Sequence, residues 1–248
     1  MKDDDSYALS AAGAGRRYGR FWALRDCSFT LVEGRVAALV GPNGAGKTTL
    51  LTLIAGLAEP NQGQIEVFGR PMSSRDPAAL ADVGFVAQDH PLYQGFSVGE
   101  LLRMGRALNR RWDHRLALDR LERLEIALHR RAGSLSGGQQ AQVSLALALA
   151  KQPRLLVLDE PLASLDPLAR REFLDRVADT SRVDGLTVVF SSHVVTELEQ
   201  VCDYLLVLAA GRLRLAGPVA DLLAEVPSGW GVEELVLSQL RGRQEEVA

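Results

Sequence analysis

The sequence is poor in several features, and each shortage narrows what the chain can be. Its 248 residues include only two cysteines, Cys27 and Cys202, too few for a disulfide framework or a zinc cluster, which favours a reducing compartment. The longest near-continuous apolar run, Val143–Ala150, is far shorter than the roughly 20 residues that a membrane-spanning helix needs. Met1–Ser6 is acidic where a signal peptide is basic and then apolar, so we expect a cytoplasmic location.

Positive charge is carried almost entirely by arginine. Only three of the 28 basic residues are lysine, namely Lys2, Lys47 and Lys151. Because the formal net charge is −3, the chain has no general electrostatic attraction to nucleic acid, and we predict no nucleic-acid partner. With 47% apolar residues and no dominant repeat, it is predicted to fold around a sizeable core rather than to be disordered or a coiled coil.

Short β-branched apolar runs alternate with longer helical patterns, which predicts an α/β fold with a mostly parallel sheet. The predicted strands are Val36–Val40, Val83–Ala87, Leu155–Leu158, Thr187–Phe190 and Tyr204–Leu208. Residues 29–36 indicate an additional antiparallel β piece. Leucines at a helical period over residues 97–131 predict an inserted helical lobe.

A glycine-rich loop, here called the phosphate loop, follows the strand Val36–Val40. It consists of Gly41, Pro42, Asn43, Gly44, Ala45, Gly46, Lys47, Thr48 and Thr49. A strand, this loop and a helix form the context that the pattern GxxxxGK[ST] requires. Its N–H groups and the helix N-terminus are suited to phosphate oxygens, while Lys47 is expected to reach the β- and γ-phosphates and Thr48 to bind Mg²⁺. The alternative is a glycine-rich turn with a chance lysine.

Two carboxylates, Asp159 and Glu160, follow the strand Leu155–Leu158 directly. Ligands of open parallel sheets lie beyond the carboxyl ends of the strands, which is where the phosphates are expected. Asp159 is therefore predicted to bind Mg²⁺ and Glu160 to act as general base toward water. The alternative is that the two acids only solubilise the end of a strand.

A further glycine motif lies upstream, and a histidine lies downstream. Leu135 and the signature segment, Ser136, Gly137, Gly138 and Gln139, open a long helical pattern that ends near Lys151. Ser136 is a good N-cap, and the glycines leave N–H groups for an anion. Taken alone, this segment also fits a flexible helix cap, and His193 after the strand Thr187–Phe190 fits a structural histidine.

Together these residues resemble the nucleotide-binding subunit of an ATP-binding cassette (ABC) transporter over about residues 7–240. LSGGQ, at residues 135–139, is the signature of that family. The resemblance implies that Tyr18 stacks on the adenine, that Gln88 senses Mg²⁺ and water, and that His193 contacts the γ-phosphate. It also implies that Asp166 lies in a loop that crosses a dimer interface.

The resemblance further implies how the subunit works. Two copies, as a homodimer or with a second ABC ATPase subunit, would close head to tail over two ATP molecules, with the phosphate loop of one facing Ser136–Gln139 of the other. Hydrolysis would open them again and drive transmembrane permease subunits, which would hold this chain peripherally at the cytoplasmic face of the membrane. Gln142 and Leu147 depart from the family pattern, which has arginine there, so we expect less positive charge near the signature helix.

One ABC ATPase domain is predicted over residues 1–248, with a catalytic core at 7–94 and 152–225, a helical lobe at 95–151 and a tail at 226–248. Residues 89–100 and the tail segment Val232–Leu237 resemble those of bacterial exporters, although the tail also fits a generic amphipathic helix. We therefore expect an export subunit. An import subunit, a non-transport ABC ATPase, a small-molecule kinase and binding without hydrolysis stay open.

Overall fold

A computed structural model describes the chain from residue 6 to residue 241, apart from positions 164, 166–169, 172, 176, 179, 180, 182–184, 194 and 196–200. The strands in this part of the chain are β1 (Tyr7–Tyr18), β2 (Phe21–Val32), β3 (Val36–Val40), β4 (Gln62–Val67), β5 (Arg70–Pro71), β6 (Val83–Val86), β7 (Leu155–Leu158), β8 (Thr187–Ser192), β9 (Tyr204–Ala209) and β10 (Arg212–Pro218). The helices are α1 (Lys47–Ile54), α2 (Pro77–Ala81), α3 (Val98–Leu108), α4 (His114–Arg123), α5 (Gly137–Ala150), α6 (Val219–Ala224) and α7 (Val232–Arg241).

The strands form two sheets. One has the order β10-β9-β3-β8-β7-β6 and is parallel except for the pair of β9 with β10. The other is antiparallel, with the order β2-β1-β4-β5. The predicted α/β fold with a mostly parallel sheet is confirmed, and the antiparallel piece is larger than the pattern of residues 29–36 indicates. The predicted strand ends agree with the structure to within two residues.

The parallel sheet is covered on both faces, and the side chains of β3 separate by the two-residue period of a strand. Ala37 and Leu39 pack toward the antiparallel sheet and α1, whereas Val36, Ala38 and Val40 pack on the opposite face. All five residues are buried. A strand buried on both sides has no polar face, which is why β3 and β7 appear in the sequence as continuous apolar runs.

The helical lobe has a core of its own, built by α3, α4 and one side of α5. The helical period that predicts the lobe is broken at residues 109–113, where Asp113 caps α4 by accepting a hydrogen bond from the N–H of Leu116 at 2.9 Å. α4 ends before Glu125, whose φ is 54°. Residues 125–131 are therefore not helical, although the leucine pattern extends through them.

Helix α5 packs both in the core of the lobe and against the parallel sheet. Val143 and Ala146 belong to the core of the lobe, while Leu145 and Ala148 pack against the parallel sheet. Beyond its C-terminal end, the Lys151 ammonium donates to the carbonyls of Leu80 and Val83, each at 2.7 Å. Burial lowers the pKa of that ammonium group. Among the described residues, the helices are all too short or too polar to cross a membrane.

Candidate functional site

The phosphate loop is shaped by its backbone. Gly44 and Gly46 have φ values of 78° and 103°, which side chains rarely adopt. A Cβ on Gly46 would lie 2.5 Å from the carbonyl oxygen of Ala23, and one on Gly41 would collide with the carbonyl of Leu208. Helix α1 begins at Lys47 without a hydrogen bond from any described side chain to its N-terminus. The first turn of α1 therefore offers its N–H groups to an external acceptor.

Lys47 lies inside the loop rather than on the surface, with only 7% of the residue exposed. Its Nζ donates to the carbonyl oxygens of Gly41 at 2.8 Å and Pro42 at 3.4 Å. The same nitrogen lies 3.5 Å from Oε1 of Glu160. Its buried charge is thus compensated by two carbonyls and one carboxylate, and an anion entering the loop would meet a positioned ammonium group.

Asp159 and Glu160 follow strand β7 directly, and Ser191 of β8 hydrogen-bonds to both residues. The Ser191 hydroxyl donates to Oδ1 of Asp159 at 2.7 Å and accepts from the N–H of Glu160 at 2.8 Å. Asp159 is 1% exposed, so the serine satisfies one oxygen of a carboxylate that is almost sealed from water. The sequence reasoning missed Ser191, and the only available signal was a small polar residue at the end of an apolar strand.

Glu160 is held in a strained position next to His193. Its φ is 48°, in the left-handed region, where a residue with a side chain costs about 1 to 3 kcal/mol and persists only if the surroundings fix it. Its Oε2 lies 2.7 Å from Nδ1 of His193, while Oε1 faces Lys47. The carboxylate is thus hydrogen-bonded on one side and paired with a cation on the other.

A cavity of about 640 Å³ lies over these groups. Its lining comprises Tyr18, Phe21, Ala23, Pro42, Asn43, Gly44, Gly46, Lys47, Thr48, Thr49, Gln88, Glu160, Ala163 and His193. Most of the predicted site residues therefore meet around one space. Gly41 and Ala45 shape the loop outside this lining, the signature segment lies in the lobe, and Asp166 lies outside the described residues.

Three oxygen-bearing side chains suit a magnesium ion. A second cavity, of about 920 Å³, adjoins the first at Thr48 and Gln88 and is also lined by Asp159. A hydroxyl, an amide oxygen and a carboxylate are the hard donors that Mg²⁺ takes, usually together with water and substrate phosphates. Over the described part of the chain, no group of three His, Cys, Asp or Glu side chains forms a metal cluster. The donor set thus fits Mg²⁺ and not a thiolate or imidazole site.

Side chains of the signature segment cap the N-terminus of α5. The Ser136 hydroxyl accepts from the N–H of Gln139 at 3.3 Å, and Oε1 of Gln139 accepts from the N–H of Ser136 at 3.2 Å. This reciprocal pair is a capping box, so Ser136 is the N-cap that the sequence predicts. Arg130 braces the box, because its guanidinium donates to Oε1 of Gln139 at 3.1 Å and to the carbonyl of Ser134 at 2.6 Å.

The expected loss of positive charge near α5 needs correction. The Arg120 guanidinium of α4 donates to Oε1 of Gln142 at 2.8 Å, and Arg130 reaches the start of the same helix. Arginine side chains from neighbouring elements thus contact the helix that lacks its own. Leu147, at the other departure, lines the second cavity. The roles of Arg120 and Arg130 could not be predicted from a local pattern, since their partners are 22 and 9 residues away.

Comparison with known proteins identifies the family. The profile of the family described as ABC transporter matches residues 24–163. The chain is 40% identical to the phosphonates import ATP-binding protein of Natronomonas pharaonis over 86% of this chain and 95% of that protein. It is 37% identical to the Nod factor export ATP-binding protein I of Rhizobium sp. (strain N33), over 88% of this chain and 73% of that protein.

Solved structures give the same result. An ATP-binding subunit of an ABC transporter superposes with a TM-score of 0.84 at 27% identity and covers 94% of this chain and 99% of its own. A dimeric ATP-binding cassette in a post-hydrolysis state with ADP and Pi shares the fold, with a TM-score of 0.75 at 23% identity, over 85% and 98% of the two chains. The chain therefore belongs to the ABC transporter family, as an ATP-binding subunit with the ATPase activity that is coupled to transport.

Proposed function

We propose that ATP binds in the 640 Å³ cavity with its phosphates on the phosphate loop. The observation that carries this proposal is the convergence of that loop, Gln88, Glu160 and His193 on one space. The free N–H groups at the start of α1 would take the phosphate oxygens, and Lys47 would move its ammonium group from Glu160 to the β- and γ-phosphates. Tyr18 would lie against the adenine at the other end of the cavity.

Hydrolysis then follows from the groups around Glu160. Once Lys47 faces the phosphates, the Glu160 carboxylate can accept the proton of a water aligned with the γ-phosphorus. His193, 2.7 Å from that carboxylate, is placed to orient it and would also contact a γ-phosphate oxygen. Thr48, Gln88 and Asp159 would hold Mg²⁺, which supplies charge neutralisation at the phosphates when bound.

We propose further that two subunits close head to tail, with Ser136–Gln139 of one facing the phosphate loop of the other and Asp166 near the interface. The cavity supports this because its described lining contains no residue of the signature segment. ATP would stabilise the closed pair and hydrolysis would release it, which can move transmembrane permease subunits at the cytoplasmic face of the membrane. Residues 7–94 and 152–225 would form the catalytic core, 95–151 the lobe and 226–248 the tail.

Export is the direction that we favour. The support is the exporter-like segment 89–100 and the tail, where Val232, Leu235 and Val236 of α7 pack on the core. One relative is named as an export protein and another as an import protein, so an import subunit is the second candidate.

The ATPase proposal is tested in the assembled transporter, purified with its membrane subunits. We expect release of phosphate from ATP to water at a rate far above that of a complex carrying Glu160→Gln. Equal rates would contradict the proposed site. Transfer of the phosphate to an acceptor molecule instead of water would identify a kinase.

Direction is tested in proteoliposomes whose ATP-binding subunits face outward. Compounds that stimulate ATP hydrolysis are first selected, and their movement is then followed after ATP is added outside. Accumulation in the lumen means transport away from the ATP side, which is export. Loss of preloaded compound from the lumen would establish import.

A further inference from the structure

The nucleobase end of the cavity contains an aromatic residue that the site described so far does not use. Phe21 lines the cavity together with Tyr18, and it is the more exposed of the two, at 68% against 50%. A phenylalanine ring in water leaves apolar surface uncovered that a bound planar ring would remove from solvent. The phosphate loop lies at the other end of the same cavity.

The backbone places the two rings on the same side of the hairpin. Tyr18 is the last residue of β1, Phe21 is the first of β2, and they are directly paired. Side chains of directly opposed residues in an antiparallel pair share one face of the sheet, with their Cβ atoms about 5 Å apart. The two rings are therefore neighbours on the face that borders the cavity.

A tight turn fixes this pairing. Only Gly19 and Arg20 connect the strands, and Gly19 has a φ of 60°. A positive φ at the first central residue is the requirement of a type II′ turn, which joins two strands without a further residue. The register of Tyr18 with Phe21 follows from the length of this loop, so the rings do not depend on a flexible segment.

The ring of Tyr18 is itself supported. The Cζ atom of Arg16 lies 5.1 Å from the centroid of the Tyr18 ring, and Nη1 of Arg16 donates to the carbonyl of Glu59 at 2.7 Å. A cation over a ring is attractive, and here the cation is anchored to the connection between α1 and β4. Arg16 itself does not line the cavity, whereas Tyr18 does.

Few polar side chains at the nucleobase end of the cavity could form hydrogen bonds with the edge of a base. Among the described residues that line the cavity, the side chains with nitrogen or oxygen are Tyr18, members of the phosphate loop, Gln88, Glu160 and His193. All of these except Tyr18 lie at the phosphate end. Recognition at the base end must therefore come mainly from stacking, which is tolerant of base identity because each base has a π-face.

We propose, resting on the proposed function, that Phe21 is a second nucleobase contact beside Tyr18. The base is held by two rings rather than by hydrogen bonds to its edge. The cavity then selects for a large planar ring system, so adenine and guanine nucleotides bind about equally and pyrimidine nucleotides bind more weakly.

Binding of diphosphates to the purified full chain tests this inference, because diphosphates are not consumed by hydrolysis. Phe21→Leu removes the ring and keeps an apolar side chain, whereas Phe21→Trp keeps a ring. Tyr7→Leu removes an aromatic of equal exposure to Tyr18 at the other end of β1 and is the control. ADP, GDP and CDP are titrated, and pyrophosphate is measured by competition as a probe without a base.

We expect Phe21→Leu to weaken the binding of ADP about tenfold, which is within the range for loss of one stacked ring. The affinity for pyrophosphate should change less than about twofold. Phe21→Trp and Tyr7→Leu should bind ADP as the unmodified chain does. In the unmodified chain GDP should lie within about threefold of ADP, with CDP weaker.

The inference is overturned by unchanged ADP binding in Phe21→Leu, by an equal loss of pyrophosphate binding, by a loss in Phe21→Trp as large as in Phe21→Leu, or by strong preference for ADP over GDP. If Phe21→Leu does not fold, the inference is decided by ADP binding to Phe21→Trp and by the ratio of the GDP and CDP affinities of the unmodified chain. An unmodified chain that binds pyrophosphate and ADP equally would overturn this inference alone, whereas one that binds neither would contradict the proposed function itself.

Discussion

The phosphate loop and the signature segment both place glycines at the start of a helix, yet they are built in opposite ways. In the phosphate loop Gly44 and Gly46 adopt positive φ angles, and Gly41 and Gly46 lie so close to neighbouring carbonyls that a Cβ would clash. The start of α1 is not capped by any described side chain. In the signature segment Gly137 and Gly138 are already helical, and Ser136 with Gln139 caps the helix. The phosphate loop keeps its donors for a ligand, whereas the signature segment satisfies the N–H groups of Ser136 and Gln139 with its own side chains and has its cap braced by Arg130.

The phosphate loop is therefore preformed by backbone constraints, and the signature segment by side-chain hydrogen bonds. Substitutions in the phosphate loop should therefore cost either activity or folding severely. Substitutions in the signature segment should leave ADP binding intact and act only when the proposed second subunit engages it.

Lys47→Arg should have the largest effect. The ammonium group lies 2.8 Å from the carbonyl of Gly41 inside a nearly closed loop, where a branched planar guanidinium fits poorly. We expect ATP hydrolysis by the assembled transporter to fall at least about a hundredfold, with the fold intact. Phosphate release and circular dichroism are the measurements, and Lys2→Arg is the matched control. An unchanged rate of ATP hydrolysis in Lys47→Arg would contradict the role assigned to Lys47.

Gly46→Ala should destabilise the fold more than Gly44→Ala does. Both glycines have positive φ, but a Cβ on Gly46 meets the carbonyl of Ala23, whereas a Cβ on Gly44 has open space. We expect a loss of about 2 to 4 kcal/mol in unfolding free energy for Gly46→Ala and about 1 kcal/mol for Gly44→Ala. Denaturant unfolding measures both. Equal losses would mean that the packing around the loop yields, and the loop is then not rigidly preformed.

Arg130→Ala tests whether side-chain hydrogen bonds hold the signature segment. It removes two hydrogen bonds that hold Ser134 and Gln139, each worth about 1 kcal/mol. We expect hydrolysis in the assembled transporter to fall about tenfold, with ADP affinity of the single subunit unchanged. Arg123→Ala, an exposed arginine of α4, is the control. A parallel loss of ADP affinity would show that the two loops are not independent.

Acidification should have the smallest effect. His90 is 5% exposed, lies near Gln142 of α5, and burial lowers the pKa of its imidazole below the ordinary 6.5. The unfolded chain then binds a proton that the folded chain does not, so stability is full above about pH 6.5 and falls as the pH drops below it.

The loss cannot exceed about 1.4 kcal/mol per pH unit for this one group. Unfolding free energies at pH 7.5, 6.5 and 5.5 measure it. His90→Phe should reduce the pH dependence over this interval. An unchanged pH profile in that variant would assign the acid sensitivity to other groups.

Patterns that depend on neighbouring residues could be predicted. Strand β7 coincides with the predicted Leu155–Leu158, because a strand buried on both faces has no polar residue to obscure it. The cap at Ser136 could also be predicted, since both partners lie within one helical turn. The phosphate loop could be located because its spacing is local.

What depends on distant contacts could not be predicted. Ser191 acts on acids 31 and 32 residues away, and no local pattern distinguishes it from another small residue at a strand end. Strand β1 is long and rich in small residues, and it is interrupted by register shifts, so its alternation is irregular. Asp113 starts a separate helix in the lobe although leucines at a helical spacing lie on both sides of it, because the cap overrides the pattern.

The burial of the lysines has a practical consequence for chemical labelling. Lys47 is enclosed by the phosphate loop, Lys151 donates to two carbonyls, and residues 48–150 contain no lysine. Amine-directed cross-linkers and dyes therefore have no lysine to modify in the helical lobe before Lys151. Distances between that lobe and a membrane subunit must be mapped with reagents for carboxylates or with introduced cysteines. An acylating reagent that does modify Lys47 would report on the phosphate loop, because ATP should protect that amine.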